Sequence, residues 1–200
     1  DSHYKVNKML HIYYAKIREN YHIDIEIFPD IIKDYLLRKK NQKALYSSIF
    51  SWYCLDLIVK KHYHKNLKDL DFYFTKLGKP MVRLFYFNIS HSADFCVVAI
   101  SNKKIGIDVE KVREIDNIEN IVNKLFWCLP LNNKDLLMNF FIGFTQYEAL
   151  IKYNGKTIGY PKKQLMIRKD VETNLINYNN NLYVLSYKGC EKAKISEIII

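Results

Sequence analysis

Two carboxylates at alternate positions of an apolar segment are the clearest candidates for chemistry in this chain. Asp108 and Glu110 follow Gly106, with aliphatic residues between them. Because side chains alternate along a strand, the two carboxylates share a face and lie roughly 6–7 Å apart. They repel each other without an intervening cation, so the pair indicates either a cation site or a strand end with two solvated acids. Gly106 permits close approach of a ligand or another backbone.

A third acid, Glu148, lies one turn before Lys152 in a pattern typical of a long amphipathic helix. The spacing alone is that of an ordinary surface ion pair. However, the apolar Phe144 and Ile151 flank Glu148 on one stripe, which predicts that it lies near the edge of the buried face. Three carboxylates with a neighbouring lysine suit Mg²⁺, which is commonly held by carboxylates together with substrate phosphates.

A polar run, Ser90-His91-Ser92, ends another apolar segment. The histidine has two interpretations: a structural residue with a satisfied hydrogen bond, or a donor to a phosphate at a strand end. By itself the run does not decide between them.

The elements that must position these residues occur in the order helices then strands, twice. This order predicts an α+β chain of two similar halves, residues 1–102 and 103–200. The short polar link at 101–103 predicts that the strands on either side of it are antiparallel neighbours. We expect helices at 31–40, 41–59, 118–126 and 134–153, and strands at 23–27, 71–77, 84–89, 95–100, 104–109, 164–168, 182–186 and 194–199, with a turn at 177–181.

Composition narrows the functional classes. The chain has 200 residues, 49% of them hydrophobic, and a formal net charge of +10. Lys far outnumbers Arg, which favours phosphates or an acidic partner over base-specific DNA recognition. No apolar run reaches the roughly 18 residues of a membrane helix. The four cysteines are widely spaced, which predicts reduced, packed thiols and a cytoplasmic protein rather than a zinc site or a disulfide framework: Cys54, Cys96, Cys128 and Cys190.

Taken together, the three segments resemble the 4′-phosphopantetheinyl transferases. The matching motifs are Gly78-Lys79-Pro80 and residues 87–92, 97–100, 105–110 and 144–152. Their order and spacing agree across roughly residues 78 to 155, and the combination is specific although each motif alone is not. The presence of both halves in one chain resembles the Sfp type, a pseudo-dimer of two α/β lobes with the active site at the lobe interface.

The resemblance implies an enzyme that transfers the 4′-phosphopantetheine arm of coenzyme A to a serine of an apo carrier protein and releases 3′,5′-ADP. It implies that Asp108, Glu110 and Glu148 hold Mg²⁺ against the coenzyme A pyrophosphate. Glu148 takes the proton of the serine hydroxyl, directly or through a water, and Lys152 neutralises charge on the phosphates.

The resemblance also implies a set of coenzyme A contacts, namely Lys43, Lys79, Ser90, His91 and Lys152. Lys43 is the best match among three N-terminal cations, the others being Lys39 and Lys40. The expected partners are coenzyme A and an acidic acyl or peptidyl carrier protein, with no nucleic acid and no membrane, and the expected state is a monomer.

The chain departs from the family pattern at four positions: Phe144 replaces Trp, Tyr147 replaces Lys, Thr157 replaces a glycine and Pro130 replaces a glutamate. None of these removes an expected metal ligand. They leave open an alternative, a catalytically weak member of the same fold that binds coenzyme A or a carrier protein. A further alternative from another class is a Mg²⁺-dependent nuclease, but the aromatic residues follow apolar periodicity rather than alternating with basic runs.

Overall fold

A computed structural model describes residues 10–18, 21–125, 136–155, 167–189 and 192–200. Pro130, Thr157, Cys128, Cys190 and most of the strand predicted at 164–168 lie outside the described residues. The elements are β1 Leu10–Lys16, α1 Asp30–Leu37, α2 Gln42–Tyr63, β2 Phe72–Phe74, β3 Pro80–Val82, β4 Tyr86–Ser92, β5 Phe95–Ser101, β6 Gly106–Lys111, α3 Ile118–Leu125, α4 Leu136–Asn154, β7 Glu172–Tyr178, β8 Asn181–Lys188 and β9 Ala193–Glu197. The predicted α+β class is confirmed.

The first sheet has the strand order β4-β5-β1-β9, in which β9 runs parallel to β1 and the other pairs are antiparallel. One of its faces packs against α1 and α2 through a core that includes Phe50, Leu55 and Val98. Helix α2 begins where the sequence predicts, because the Asn41 side chain accepts a hydrogen bond from the Ala44 N–H at 2.9 Å. Two of the predicted reduced thiols, Cys54 and Cys96, are buried and free in this core.

The second sheet has the order β6-β8-β7 and is antiparallel throughout. Its inner face packs on the first sheet through apolar residues that alternate along the strands, such as Ile12, Val97, Ile107 and Leu185. Helices α3 and α4 cover its outer face. The layers therefore run helix, sheet, sheet, helix, which gives each amphipathic element one buried face.

Two predictions about strands are wrong. Residues 25–27 form a 3₁₀ turn rather than a strand, because the Asp24 carboxylate caps the Glu26 N–H at 3.0 Å. Strands β5 and β6 are not neighbours: both edges of β5 are taken by β4 and β1, so the link at 101–105 carries the chain from one sheet to the other. The sequence prediction also missed β1, β3 and β7.

The predicted division after residue 102 separates the two sheets except for β9, which comes from the C-terminal end and joins the first sheet beside β1. That the halves are similar lobes stays a prediction. At 177–181 the predicted turn is confirmed, since Asn179 and Asn180 both have positive φ between β7 and β8. No helix within the described residues is long and apolar enough to cross a membrane.

Gly106 sets the distance between β6 and α4. A Cβ atom at this position would lie 2.1 Å from the Ala149 carbonyl oxygen and 2.3 Å from the Tyr153 nitrogen. Both contacts are with backbone atoms of a helix that cannot yield locally, so only glycine allows the helix to lie this close to the strand. The sequence prediction of a close backbone approach at Gly106 is confirmed.

We expect Gly106→Ala to destabilise the protein by at least about 3 kcal/mol, because α4 must move off the sheet to accommodate the methyl group. Gly189→Ala is the matched control. There the new Cβ would meet only the side-chain ends of Ile105 and Leu10, at 3.2 and 3.3 Å, and we expect a loss within about 1 kcal/mol. Urea unfolding followed by tryptophan fluorescence measures both. Equal stability of the two variants would contradict the close packing of β6 and α4.

Candidate active site

The edges of the two sheets meet along β4 and β6, and polar side chains join them. Strand β6 pairs with β8 on one side only, so the N–H groups on its other edge need partners. The side-chain amide oxygen of Asn88, Oδ1, accepts from the Ile107 N–H at 2.7 Å, and the Ser92 hydroxyl accepts from the Lys111 N–H at 3.2 Å. Side chains of β4 thus replace the missing strand. We call this line of contacts the β4–β6 seam.

The same seam holds the two candidate carboxylates. Ser90 donates from its hydroxyl to Asp108 Oδ1 at 2.7 Å, and Ser92 donates to Glu110 Oε2 at 2.6 Å. Asp108 is 5% exposed, and Ser90 and Ser92 are also buried. As predicted, Asp108 and Glu110 lie on the face of β6 opposite to the apolar residues that contact the first sheet.

Lys152 pairs with the buried Asp108. Its ammonium lies 2.7 Å from Asp108 Oδ1 and donates to the Ser90 hydroxyl at 2.9 Å. The second oxygen, Asp108 Oδ2, is buried and has no hydrogen-bond partner among the described residues. A buried carboxylate oxygen without a donor is costly in the protein alone, and a bound cation would satisfy it.

The Glu110 carboxylate has a different electrostatic setting. Burial raises its pKa above the usual range, and the negative charge of Asp108 acts in the same direction. The hydrogen bond from Ser92 and the guanidinium of Arg113, 3.6 Å from Oε2, oppose that shift by favouring the charged form.

Strands β2 and β3 pair with each other as an antiparallel hairpin. A cavity of about 510 Å³ opens beside the Asp108–Lys152 pair, between α1, α2, the β2–β3 hairpin, β4 and α4. Its wall carries aromatic and basic side chains together with Glu148. The aromatic members are Tyr35, Trp52 and Phe87, and the basic members are Lys39, Lys79, His91 and Lys152. An apolar wall with several cations suits a ligand that combines a flat ring with phosphate groups.

Two of the basic groups have lowered pKa values. Burial, with Lys104 and Lys152 nearby, lowers the pKa of Lys79 to about 8, and its ammonium donates to the Lys152 carbonyl oxygen at 2.6 Å. Burial also lowers the pKa of His91, and the positive charges of Lys39 and Lys152 add to this effect against the opposing charge of Asp108. His91 is therefore neutral near pH 7 and lies 3.5 Å from the Ser48 hydroxyl.

The structure places most of the predicted site residues together. Lys79, His91, Glu148 and Lys152 line the cavity, and Asp108 contacts Lys152. Lys43 does not share this position: it is exposed on the first turn of α2, whereas Lys39 lines the cavity.

Ser90 and His91 were predicted to serve one ligand, but adjacent residues of a strand point to opposite faces. His91 faces the cavity, and the Ser90 hydroxyl bonds to Asp108 and Lys152. Asn88 and Ser92 lie in the matched motif 87–92, but sequence reasoning assigned neither of them a role. Their signal is the period of two shared by the polar residues at 88, 90 and 92.

The fit to a metal ion is partial. Among the described residues, no group of three His, Cys, Asp or Glu side chains is arranged to hold a metal ion. Asp108 and Glu110 nevertheless share a face, and Asp108 Oδ2 lacks a partner within the described chain. Glu148 is 7% exposed and lines the adjacent cavity. These oxygen donors suit Mg²⁺, so its assignment to the three carboxylates stays a prediction.

Comparison with known proteins finds several relatives of one kind. The chain is 32% identical over 154 residues to the 4′-phosphopantetheinyl transferase gsp of Aneurinibacillus migulanus, covering 72% of this chain and 63% of the relative. It is 33% identical over 114 residues to psf-1 of Bacillus pumilus, covering 52% and 47%. It is 25% identical over 142 residues to Sfp of Bacillus subtilis, covering 66% and 63%; both of these relatives are also named 4′-phosphopantetheinyl transferases.

The chain thus spans less than two thirds of the length of these relatives. No family model matches it. The relatives nevertheless bear the same name as the family indicated by the motifs. The structure brings three of those motifs, at 78–80, 87–92 and 144–152, to one cavity, and Asp108 of a fourth motif contacts Lys152. The resemblance predicted from the sequence is therefore confirmed, and the chain is related to the 4′-phosphopantetheinyl transferases.

Proposed function

We propose that this protein transfers the 4′-phosphopantetheine arm of coenzyme A to a serine hydroxyl of an apo acyl or peptidyl carrier protein. The serine oxygen forms a bond to the phosphorus that carries the pantetheine arm, the pyrophosphate bond breaks, and 3′,5′-ADP leaves. The main support is that side chains far apart in the sequence, from Lys39 to Lys152, line one basic and aromatic cavity. Beside it lie the buried Asp108 and the half-buried Glu110, each held by a serine of β4. The names of the relatives support the same reaction.

Each residue of the cavity has a distinct role in this proposal. Lys152 offsets the negative charge that moves onto the leaving phosphate, a role suited to an ammonium held by two hydrogen bonds. Glu148 lies one turn earlier on α4, lines the cavity and accepts the proton of the serine hydroxyl. Lys39, Lys79 and His91, which line the same cavity, bind phosphates of coenzyme A.

Asp108, Glu110 and Glu148 are the residues that would hold Mg²⁺. When bound, the ion neutralises charge on the pyrophosphate oxygens and orients them. The chain itself contributes the unpartnered Asp108 Oδ2 and the seam that keeps Asp108 and Glu110 on one face. The expected carrier protein is acidic, which suits the net charge of +10. We further expect a monomer that works in the cytoplasm.

The experiment incubates the protein with coenzyme A, Mg²⁺ and a panel of apo acyl and peptidyl carrier proteins. Mass spectrometry detects the added arm on the carrier, and chromatography detects 3′,5′-ADP. Formation of both products is the expected result. Binding of coenzyme A without release of 3′,5′-ADP would favour the catalytically weak binding protein instead.

Removal of the charge of Asp108 or of Glu148 is expected to slow transfer strongly. We expect Asp108→Asn and Glu148→Gln to lower the rate at least about 100-fold, because one affects the buried ion pair and the other the proton acceptor. Glu148→Gln keeps the side-chain volume, and its thermal midpoint should stay close to that of the wild type. Asp108→Asn leaves Lys152 without its counter-ion, so its midpoint should fall, and circular dichroism checks that the variant is still folded at the assay temperature. Glu172→Gln, at an exposed position of β7, is the control and should transfer at the wild-type rate. Full activity in both site variants would exclude these roles.

Coenzyme A binding is expected to take up protons near pH 7 through His91. The imidazole is neutral in the free protein because its pKa is lowered by burial and by nearby lysines. A phosphate dianion beside it would favour the imidazolium and raise the pKa in the complex, so affinity should increase as the pH falls toward the pKa of the free imidazole. Lys79, with a pKa of about 8, contributes proton uptake mainly above pH 7, so the His91 contribution is measured at pH 7 and below.

Titration calorimetry in buffers of different ionisation enthalpy measures this proton uptake. His91→Gln should lose most of it, whereas His64→Gln, at the C-terminal cap of α2, should retain it. Proton uptake that is unchanged in His91→Gln would show that another group binds the phosphate.

A further inference from the structure

The two carboxylates of the β4–β6 seam are held in the same asymmetric way. In Asp108, Oδ1 receives the hydrogen bonds of Ser90 and Lys152, and Oδ2 is buried without a partner among the described residues. In Glu110, Oε2 receives the hydrogen bond of Ser92 and the contact of Arg113, and no described residue donates a hydrogen bond to Oε1. In each carboxylate, one oxygen is bound by the protein and the other has no donor among the described residues.

The period of the two strands explains why the arrangement repeats. Ser90 and Ser92 lie two residues apart on β4, Asp108 and Glu110 lie two residues apart on β6, and each serine meets one carboxylate. A serine hydroxyl donates one hydrogen, so it engages a single carboxylate oxygen and restricts rotation of the carboxylate. Both serines are buried, which keeps water from competing for the hydroxyl.

We propose that Ser90 and Ser92 are positioning residues that orient Asp108 and Glu110 for a bound divalent cation. This rests on the proposed function, because it concerns the cation that those carboxylates would hold. It also changes the role predicted for Ser90 from the motif, which was a contact with coenzyme A phosphates. Ser90 and Ser92 do not touch the reacting atoms in this proposal; they act through the carboxylates.

Ser92 gives the cleaner test of the two. Ser90 also receives a hydrogen bond from Lys152, so its removal would disturb the buried ion pair as well. Ser92 has one further partner, the Lys111 N–H. A control serine that also accepts a backbone N–H separates the effect of losing this hydrogen bond. Ser101 is also a buried serine whose hydroxyl accepts a backbone N–H, that of Lys103, at 3.1 Å.

The experiment titrates Mn²⁺ into the full chain, with and without coenzyme A and without any carrier protein, and measures free Mn²⁺ by electron paramagnetic resonance. We expect Ser92→Ala to weaken Mn²⁺ binding about tenfold, which is typical for loss of a residue that orients a metal ligand. Ser92→Thr keeps the hydroxyl and should restore affinity. Ser101→Ala should bind as the wild type does. If Ser92→Ala does not fold, Ser92→Cys replaces it, because a thiol is a weak donor of similar size.

The outcomes separate this proposal from the one on which it rests. Wild-type affinity in a folded Ser92→Ala or Ser92→Cys variant would overturn the positioning role and leave the proposed transfer reaction intact. A loss that Ser92→Thr does not restore, or an equal loss in Ser101→Ala, would also overturn it, since either result indicates a general effect on packing. Absence of Mn²⁺ binding by the wild type, with and without coenzyme A, would overturn both this role and the metal assignment of the carboxylates.

Discussion

The buried charge of Asp108 constrains everything around it. A charged carboxylate that is 5% exposed needs a positive or hydrogen-bonding partner, since desolvation of an unpaired charge costs too much free energy. The protein meets this requirement with Lys152 from α4 and Ser90 from β4, so one charged atom links the first sheet, the second sheet and the outer helix. Any change that moves α4 or separates the sheets therefore also breaks the ion pair.

The remaining contacts keep these layers at the distance that the pair requires. Gly106 allows α4 to lie against β6 at backbone contact. Lys79 reaches from the β2–β3 hairpin to the Lys152 carbonyl oxygen, near the C-terminal end of α4, where a positive charge also suits the helix dipole. Lys79 and Lys152 both line the cavity. Its shape thus depends on long-range contacts, which explains how residues between Tyr35 and Lys152, far apart in the sequence, line it together.

The sequence predicted the alternation on β6, the position of Glu148 beside the apolar stripe of α4 and the start of α2, because these follow from local periodicity and capping. It could not predict that β5 and β6 belong to different sheets. A short polar link is compatible with a hairpin, and only the occupation of both β5 edges by β4 and β1 excludes it. The same limit applied to Ser90: the resemblance implied a contact with coenzyme A phosphates, whereas the hydrogen bonds of its hydroxyl depend on which strand edge lies opposite.

The asymmetry of the carboxylates bears on how Lys152 and a cation would share Asp108. If the ammonium occupied both oxygens, a cation would have to displace it and break a buried ion pair. Here the ammonium and the Ser90 hydroxyl both use Oδ1, so Oδ2 can accept a second positive group while the first remains bound. Two cations on one carboxylate would then face the phosphates together, which matches the charge that a pyrophosphate brings to such a site. In a chain with a net charge of +10, Asp108 holds the Lys152 ammonium, and the proposed cation would add a second positive charge at the same carboxylate.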